Sequence, residues 1–344
     1  MKLKLGILSY FLLLLLLSGY AQKNRQKIHP GQIWRDTDGN AINAHGAGVL
    51  NFNGTYYLYG EIKKGTTWLV PGQGWECYRV ASGGISCYAS KDLVNWKYMG
   101  VALSPTVGIS NHDLDTGRVI ERPKIIYNSK TKKFVMWMHI DSRDYTYSKS
   151  GVAISSSPEG PFTFIESVSP NGNTARDMTI FQDDDGKAYH LFSSDLNHTM
   201  RIVLLSDDYL SHTKFETRIL IDNYREAPAA FKRNGKYYLI TSGCTGWSPN
   251  SANCSMADSM LGEWQVIGNP CQGKDANETF KAQSTYVFPL QDTNSSFVFM
   301  ADVWNKTNLE DSRYVWLPLN FAKGKPVTKW KRQWKPSLKP MISQ

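Results

Sequence analysis

Past an apolar opening stretch, the chain carries no helical period of useful length. Short runs of Val, Ile, Tyr, Phe and Trp instead alternate with polar residues and break at Gly, Asn and Asp, the pattern of half-buried strands joined by tight turns. Five segments repeat one motif, a small or polar start, a β-rich run, a turn and an aromatic β-run: Ala44–Tyr59, Glu121–Trp137, Arg176–Leu191, Arg225–Ile240 and Ala282–Met300. In three of them the register is tight, because His45, Asp177 and Glu226 each stand nine residues before a turn glycine, Gly54, Gly186 or Gly235. Asn-Gly and Asp-Gly between β-rich runs signal hairpins. A second, shorter β-pair follows each segment, at Ile85–Trp96, Gly151–Phe162, Met200–Tyr209, Cys254–Trp264 and Arg313–Leu319. Two hairpins per unit and five units predict an all-β, five-bladed β-propeller. A β-sandwich is the rival. The first interval holds an insert around Lys63–Ser82, rich in Gly and Trp and expected near the site.

The N-terminus changes where the protein is expected to work. Lys2 and Lys4 precede an apolar run to Leu17, then Ser18-Gly-Tyr-Ala21, which reads as a signal peptide over residues 1–21 with a single propeller domain over 22–344. The expected location is secreted or periplasmic, with no membrane contact after cleavage, and the expected state is a monomer. In an oxidising compartment the Cys77/Cys87 and Cys244/Cys254 pairs could each close a short loop, leaving Cys271 over. Net charge is +9 over 344 residues, but the one basic cluster with aromatics, Lys329–Lys335, reads as a closing segment and no nucleic-acid partner is expected. The Asp183-Asp-Asp-Gly186 run lacks the further ligands of a calcium loop and reads as a turn. No cofactor motif occurs, and a structural calcium is not readable.

The innermost strand of each propeller blade faces the axis, so equivalent positions converge on one funnel. Those positions hold His45, Glu121, Asp177, Glu226 and Gln283. Crowding three carboxylates there raises pKa values at a cost in stability, a cost usual where acid–base chemistry is done. Pairing with the sequence neighbours Arg122, Arg176 and Arg225 is the bland alternative; strand alternation points those neighbours the other way. Paired carboxylates flanking a bond equip a protein for glycoside hydrolysis. Trp247 suits stacking on a sugar face, with Tyr145 and Trp304 as weaker candidates.

The chain resembles glycoside hydrolase family 43 from about Ile28 to Trp334, and within it the exo-β-1,3-galactanase branch. The residues carrying the likeness are His29–Trp34, Asp36–Gly39, Asn43–Gly46, Tyr59–Glu61, Ile120–Pro123, Arg176-Asp177, Arg225–Pro228, Ala282–Thr285 and Asp311–Pro318. The resemblance implies Glu226 as general acid, Asp177 as the group that tunes and orients it, and inversion at the anomeric carbon. The Asp base usual on blade one is absent, with His45 in its place. The branch shares this departure and implicates a blade-five glutamine, matched here by Gln283, with Glu121 as the alternative water-positioning group or a ligand for sugar hydroxyls. Sugar contacts from Tyr145, Thr245 and Trp247 are implied too, and His45 is taken with them as substrate-binding. The expectation is release of galactose from β-1,3-galactan, a plant polysaccharide. The alternatives are an α-L-arabinofuranosidase, a non-catalytic sugar-binding propeller and, last, a WD-type interaction propeller, whose Trp-Asp signature is missing.

Overall fold

The computed structural model describes residues 26–109, 111–290, 296–311 and 313–338; the expected signal peptide lies outside them. Five antiparallel sheets follow one another along the chain. Blade 1 comprises His45–Phe52, Thr55–Lys63, Ser82–Ser90 and Lys97–Leu103; blade 2, Val119–Asn128, Lys133–Asp141, Lys149–Ser155 and Thr163–Val168. Blade 3 comprises Met178–Gln182, Ala188–Ser194, Thr199–Leu205 and His212–Ile219; blade 4, Arg225–Arg233, Lys236–Gly243, Asn253–Ala257 and Trp264–Gly268. Blade 5, Gln283–Pro289, Phe297–Val303, Arg313–Ala322 and Lys325–Lys329, gains a fifth strand, Cys271–Gln272, parallel to its outer edge. The first strands of neighbouring blades meet around the axis. The five-bladed propeller is thus what the hairpin pattern predicted. At Asn53-Gly54 and Asn234-Gly235 both residues take positive φ, the geometry a two-residue hairpin of right-handed twist requires.

Each blade buries both faces, which is why its middle strands are apolar almost throughout, as in Lys133–Asp141. Five cores sit between successive blades. Ile126 and Trp137 meet Met178 and Ile180 between blades 2 and 3, and Val49 and Leu58 meet Met300 and Trp316 between blades 1 and 5. That last contact closes the ring. It is reinforced where Ile28 and Trp334 exchange backbone hydrogen bonds at 2.8 and 3.0 Å, so the two ends of the described chain tie together at the seam between the last blade and the first.

A second device joins the blades near the axis. In blades 1, 2 and 4 the pairing of the inner strand slips just after His45, Glu121 and Glu226. The next residue, Gly46, Arg122 or Ala227, takes φ of 57°, 52° or 55°. These are β-bulges. Each frees a backbone N–H, and each N–H donates to a carboxylate of the preceding blade: Gly46 to Asp302 (3.1 Å), Arg122 to Glu61 (2.9 Å) and Ala227 to Asp177 (3.0 Å). Buried donors are thereby satisfied and the ring is stapled. A Cβ on Gly46 would come within 2.2 Å of Glu61 Oε1. Gly46→Ala should therefore destabilise by more than the about 1–3 kcal/mol of a disfavoured backbone alone. Gly39 has φ of 90°, and a Cβ there would meet nothing within 4 Å, so Gly39→Ala supplies the backbone effect by itself. Thermal midpoints compare the two; equal losses would show that the Glu61 staple does not matter.

Candidate active site

The bulges decide what enters the funnel. By simple alternation Glu121 and Arg122 would face opposite ways; the extra residue turns both inward. The funnel, about 290 Å³, is lined by Glu121, Asp177, Glu226 and Gln283 from four blades, with Tyr145 and Trp247 from loops. Four of the five axial positions read from sequence therefore converge. None of the three arginines pairs with its sequence neighbour. Arg122 binds Asp177 of the next blade, Arg176 donates to Ser148 and to the Tyr145 carbonyl, and Arg225 donates to Thr241. Arg122 nevertheless departs from strand alternation, because it does line the funnel.

Glu226 and Asp177 form the acidic pair. Asp177 Oδ1 meets Arg122 Nε at 2.7 Å and its Oδ2 accepts the Ala227 N–H. Glu226 accepts from Gln283 Nε2 at 2.8 Å and from Asn197 Nδ2 at 3.2 Å. Burial, and then the charge of Asp177, push the Glu226 carboxyl up to about 8. It holds its proton at neutral pH while standing against an arginine-compensated carboxylate. Two acids with environments this different can take different roles in one reaction.

Glu121 lies in a cationic nest. Tyr145 Oη donates to it at 2.8 Å and Arg79 at 3.1 Å, with Lys63 at 3.8 Å and His139 Nδ1 at 3.5 Å. Burial alone would raise its pKa; His139, Lys63 and Arg79 together hold it well below the carboxylate range. His139 is also buried, which works against its charge, but Asp141 at 3.0 Å and Glu121 carry it to about 9. Glu121, His139 and Asp177 each offer a ligand atom within 4.8 Å of the others. Lys63 and Arg79 beside Glu121, and Arg122 on Asp177, already neutralise the two carboxylates, so the donor set does not favour a divalent ion.

The insert after the second strand of blade 1 reaches the mouth as expected. It folds into a ribbon, Trp68–Leu69 against Tyr78–Arg79, which delivers Trp75 to the rim and Arg79 to Glu121. Trp75 packs edge-on against Tyr145 and lies 6.4 Å from Trp247. The Trp247 indole donates to the Glu76 carbonyl at 2.6 Å, and Lys306 reaches the Glu76 carboxylate at 2.6 Å. Loops of blades 1, 4 and 5 are thus tied across one side of the opening.

Three expectations need correction. His45 does not line the funnel. It is wholly buried, stacked on Tyr314 at 5.3 Å, and burial drops its pKa to about 3. A neutral imidazole sealed in the seam between blades 1 and 5 cannot touch a sugar. Thr245 is exposed but outside the lining, its hydroxyl donating to the Ser248 carbonyl. All five cysteines are free. Cys254 pairs in its ladder with Ile240, placing it along the strand from Cys244 rather than across from it, and burial pushes the Cys254 thiol well above its ordinary value. The Asp183 run is a hairpin turn, as its sequence implies, with its first carboxylate taken by Lys232 and Tyr237.

The repeat register does not reach Glu61, Lys63, Trp75, Arg79, His139 or Asn197, and it aims Arg122 elsewhere. The motifs Tyr59–Glu61 and Ile120–Pro123 contain Glu61 and Arg122, but only the cross-blade contacts reveal what they do.

A five-bladed propeller with a glutamic acid of raised pKa beside an arginine-paired aspartate at the bottom of an aromatic-rimmed funnel defines the class: a glycoside-cleaving propeller. The family model for glycosyl hydrolases family 43 matches residues 47–301, and the chain belongs to that family. A solved family 43 β-1,3-galactosidase, bound to galactodeoxynojirimycin, is 43% identical, with 90% of this chain and 100% of that one covered and a TM-score of 0.83. An exo-β-1,3-galactanase from Phanerochaete chrysosporium, bound to β-1,3-galactotriose, is 35% identical over 91% of this chain and 69% of that one, TM-score 0.82. The β-D-galactofuranosidase of Aspergillus niger is 27% identical over 216 residues, 59% of this chain; the chain spans 61% of that relative's length.

Proposed function

We propose that the protein is an inverting exo-glycosidase that releases galactose from the end of β-1,3-galactan. The observation that carries the reading is the Glu226–Asp177 pair, one acid whose pKa burial raises to about 8 and one carboxyl held by Arg122 beside it. Glu226 donates its proton to the bridging oxygen as the C1–O bond breaks. Asp177 keeps that proton in place by its charge and orients the acid through the Ala227 N–H, the residue next to it. Water attacks C1 from the opposite face, positioned by Gln283 and Glu121; the proton it loses as the O–C1 bond forms passes to the Glu121 carboxylate and from there to solvent. Tyr145 and Glu121 take sugar hydroxyls, and Trp247 offers an apolar face for C–H stacking. The funnel, about 290 Å³, sits at the lower end of the range for ligand sites, about 300–1,000 Å³. It suits one terminal sugar, not a chain threaded through, and the tied loops block passage on one side. The likeness to solved β-1,3-galactan-cleaving enzymes supports the choice of sugar and linkage.

The test is time-resolved NMR of products from de-branched β-1,3-galactan, alongside aryl arabinofuranoside and galactofuranoside. Free galactose as the sole early product, appearing first as the α-anomer, is the expected result. Early oligosaccharides, β-galactose first, or turnover of the furanosides alone would overturn it.

A further inference from the structure

We propose that Arg122 is the positioning residue that joins the two halves of this site, pairing with Asp177 beside Glu226 and fixing which way the Gln283 amide faces. The guanidinium spans three acceptors on two other blades. Its Nε meets Asp177 Oδ1 at 2.7 Å, one terminal nitrogen donates to Gln283 Oε1 at 2.8 Å, and the other donates to the Ser284 carbonyl at 3.2 Å. Only a rigid planar fork serves three directions at once; a lysine ammonium at the end of a flexible stem does not.

The amide orientation follows. Gln283 Oε1 also accepts the Trp304 indole N–H at 3.0 Å. Arg122 and Trp304 are pure donors, so the reversed amide would aim its NH2 at both. The oxygen is therefore held on that side, and Nε2 must face Glu226 (2.8 Å) and Ser242 (3.1 Å). One cation thus pairs with one Glu226 neighbour and decides the donor presented by another.

The backbone turns this side chain inward. Arg122 has a φ of 52° although it carries a Cβ and precedes Pro123, a combination disfavoured on both counts. Its N–H bond to Glu61 and the bulge hold it there. Ala227, before Pro228, takes nearly the same φ and makes the same staple, so the strained backbone belongs to the bulge; at Arg122 that bulge also carries the guanidinium into the funnel.

The charged and titratable groups facing this cluster are Glu61, Lys63 and Arg79 of blade 1, Glu121, Lys124, His139 and Tyr145 of blade 2, Arg176 at the start of blade 3, Cys244 beside Glu226 in blade 4, and Asp302 of blade 5. The cation that bonds directly to Asp177 is Arg122. Its charge also opposes protonation of Glu226, so without it Glu226 should hold its proton to higher pH, while Asp177 and Gln283 lose the group that aims them.

The proposal rests on Glu226 as general acid, and the test separates the two. Arg122→Gln and Arg122→Lys are compared with the unmutated enzyme in two ways. One is the pH dependence of kcat/KM on β-1,3-galactobiose. The other is an infrared titration of the protonated carboxyl band that Glu226→Gln removes, which needs no substrate. For Arg122→Gln, kcat should fall ~10²-fold from misplacement, and both the alkaline limb and the infrared midpoint should move up by ~1 unit. Arg122→Lys keeps the charge, so its midpoint should stay near that of the unmutated enzyme while kcat falls by a smaller factor, because one ammonium cannot serve Asp177 and Gln283 together. An unmoved infrared midpoint in Arg122→Gln overturns the proposal whatever the substrate proves to be. Should Arg122→Gln not accumulate as folded protein, an Arg122→Lys enzyme with undiminished kcat overturns it equally. Failure of the unmutated enzyme to cleave galactobiose overturns the galactanase reading and leaves the infrared comparison decisive for Arg122.

Discussion

Glu226→Gln is expected to lower kcat on β-1,3-galactobiose by ~10³-fold, within the range set by loss of a general acid. The size follows from the leaving group. A sugar alkoxide is a poor one and needs a proton as the bond breaks, and Glu226 is the group whose burial and acidic neighbour keep that proton available up to about pH 8. Dinitrophenyl β-galactoside, whose leaving group needs no proton, should lose far less, and the alkaline limb of the profile should vanish with the acid that causes it. Comparable losses on both substrates would remove Glu226 from this role. Binding of galactose should persist, because the Glu121–Tyr145–Arg79 nest is untouched.

Asp177→Asn should lower kcat by ~10²-fold and shift the alkaline limb in the opposite direction to Arg122→Gln. Asp177 is the second contributor to the raised Glu226 pKa, after burial. Neutralising it removes like-charge repulsion, so Glu226 ionises more readily and its pKa falls. The general acid works only when protonated, so activity should begin to fail at lower pH, by ~1 unit. At pH 7 a larger share of the enzyme would then carry the wrong protonation state. The asparagine carbonyl can still accept the Ala227 N–H, which keeps the staple between blades 3 and 4; an Arg122 guanidinium deprived of its carboxylate accounts for part of the remaining loss. A pH profile of kcat/KM for the variant decides the matter: a limb that stays put would show that Asp177 does not tune Glu226.

The opposed shifts matter because either substitution alone could lower activity by damaging the fold. Damage moves kcat. It has no reason to move an ionisation upward in one variant and downward in its salt-bridge partner.

Much of the fold was legible along the chain. Strand alternation and a turn glycine at fixed distance are local properties, set by backbone sterics and by the need to hide one face of each strand. Five repetitions of one such unit have few ways to bury their edges other than a closed ring. The shared register correctly brought Glu121, Asp177, Glu226 and Gln283 to the axis. It misled where a strand is not regular. His45 holds the equivalent position and is followed by the same bulge, but its ring stacks on Tyr314 and is wholly buried in the blade seam. Alternation points Arg122 away from the funnel, and the bulge at its own position turns it in.

By itself, then, the order of residues determined the hairpins, their number and the inward-facing acids, because each of these depends on neighbours a few positions apart. The tertiary structure alone decided which acid is protonated, which cation compensates the other, and which rings guard the mouth. Those outcomes depend on burial and on charges 50 to 161 positions away in the chain, such as Asp177 against the Ala227 N–H and Arg122 against Gln283, and electrostatic energy is set by distance in space and exclusion of water, not by separation along the backbone.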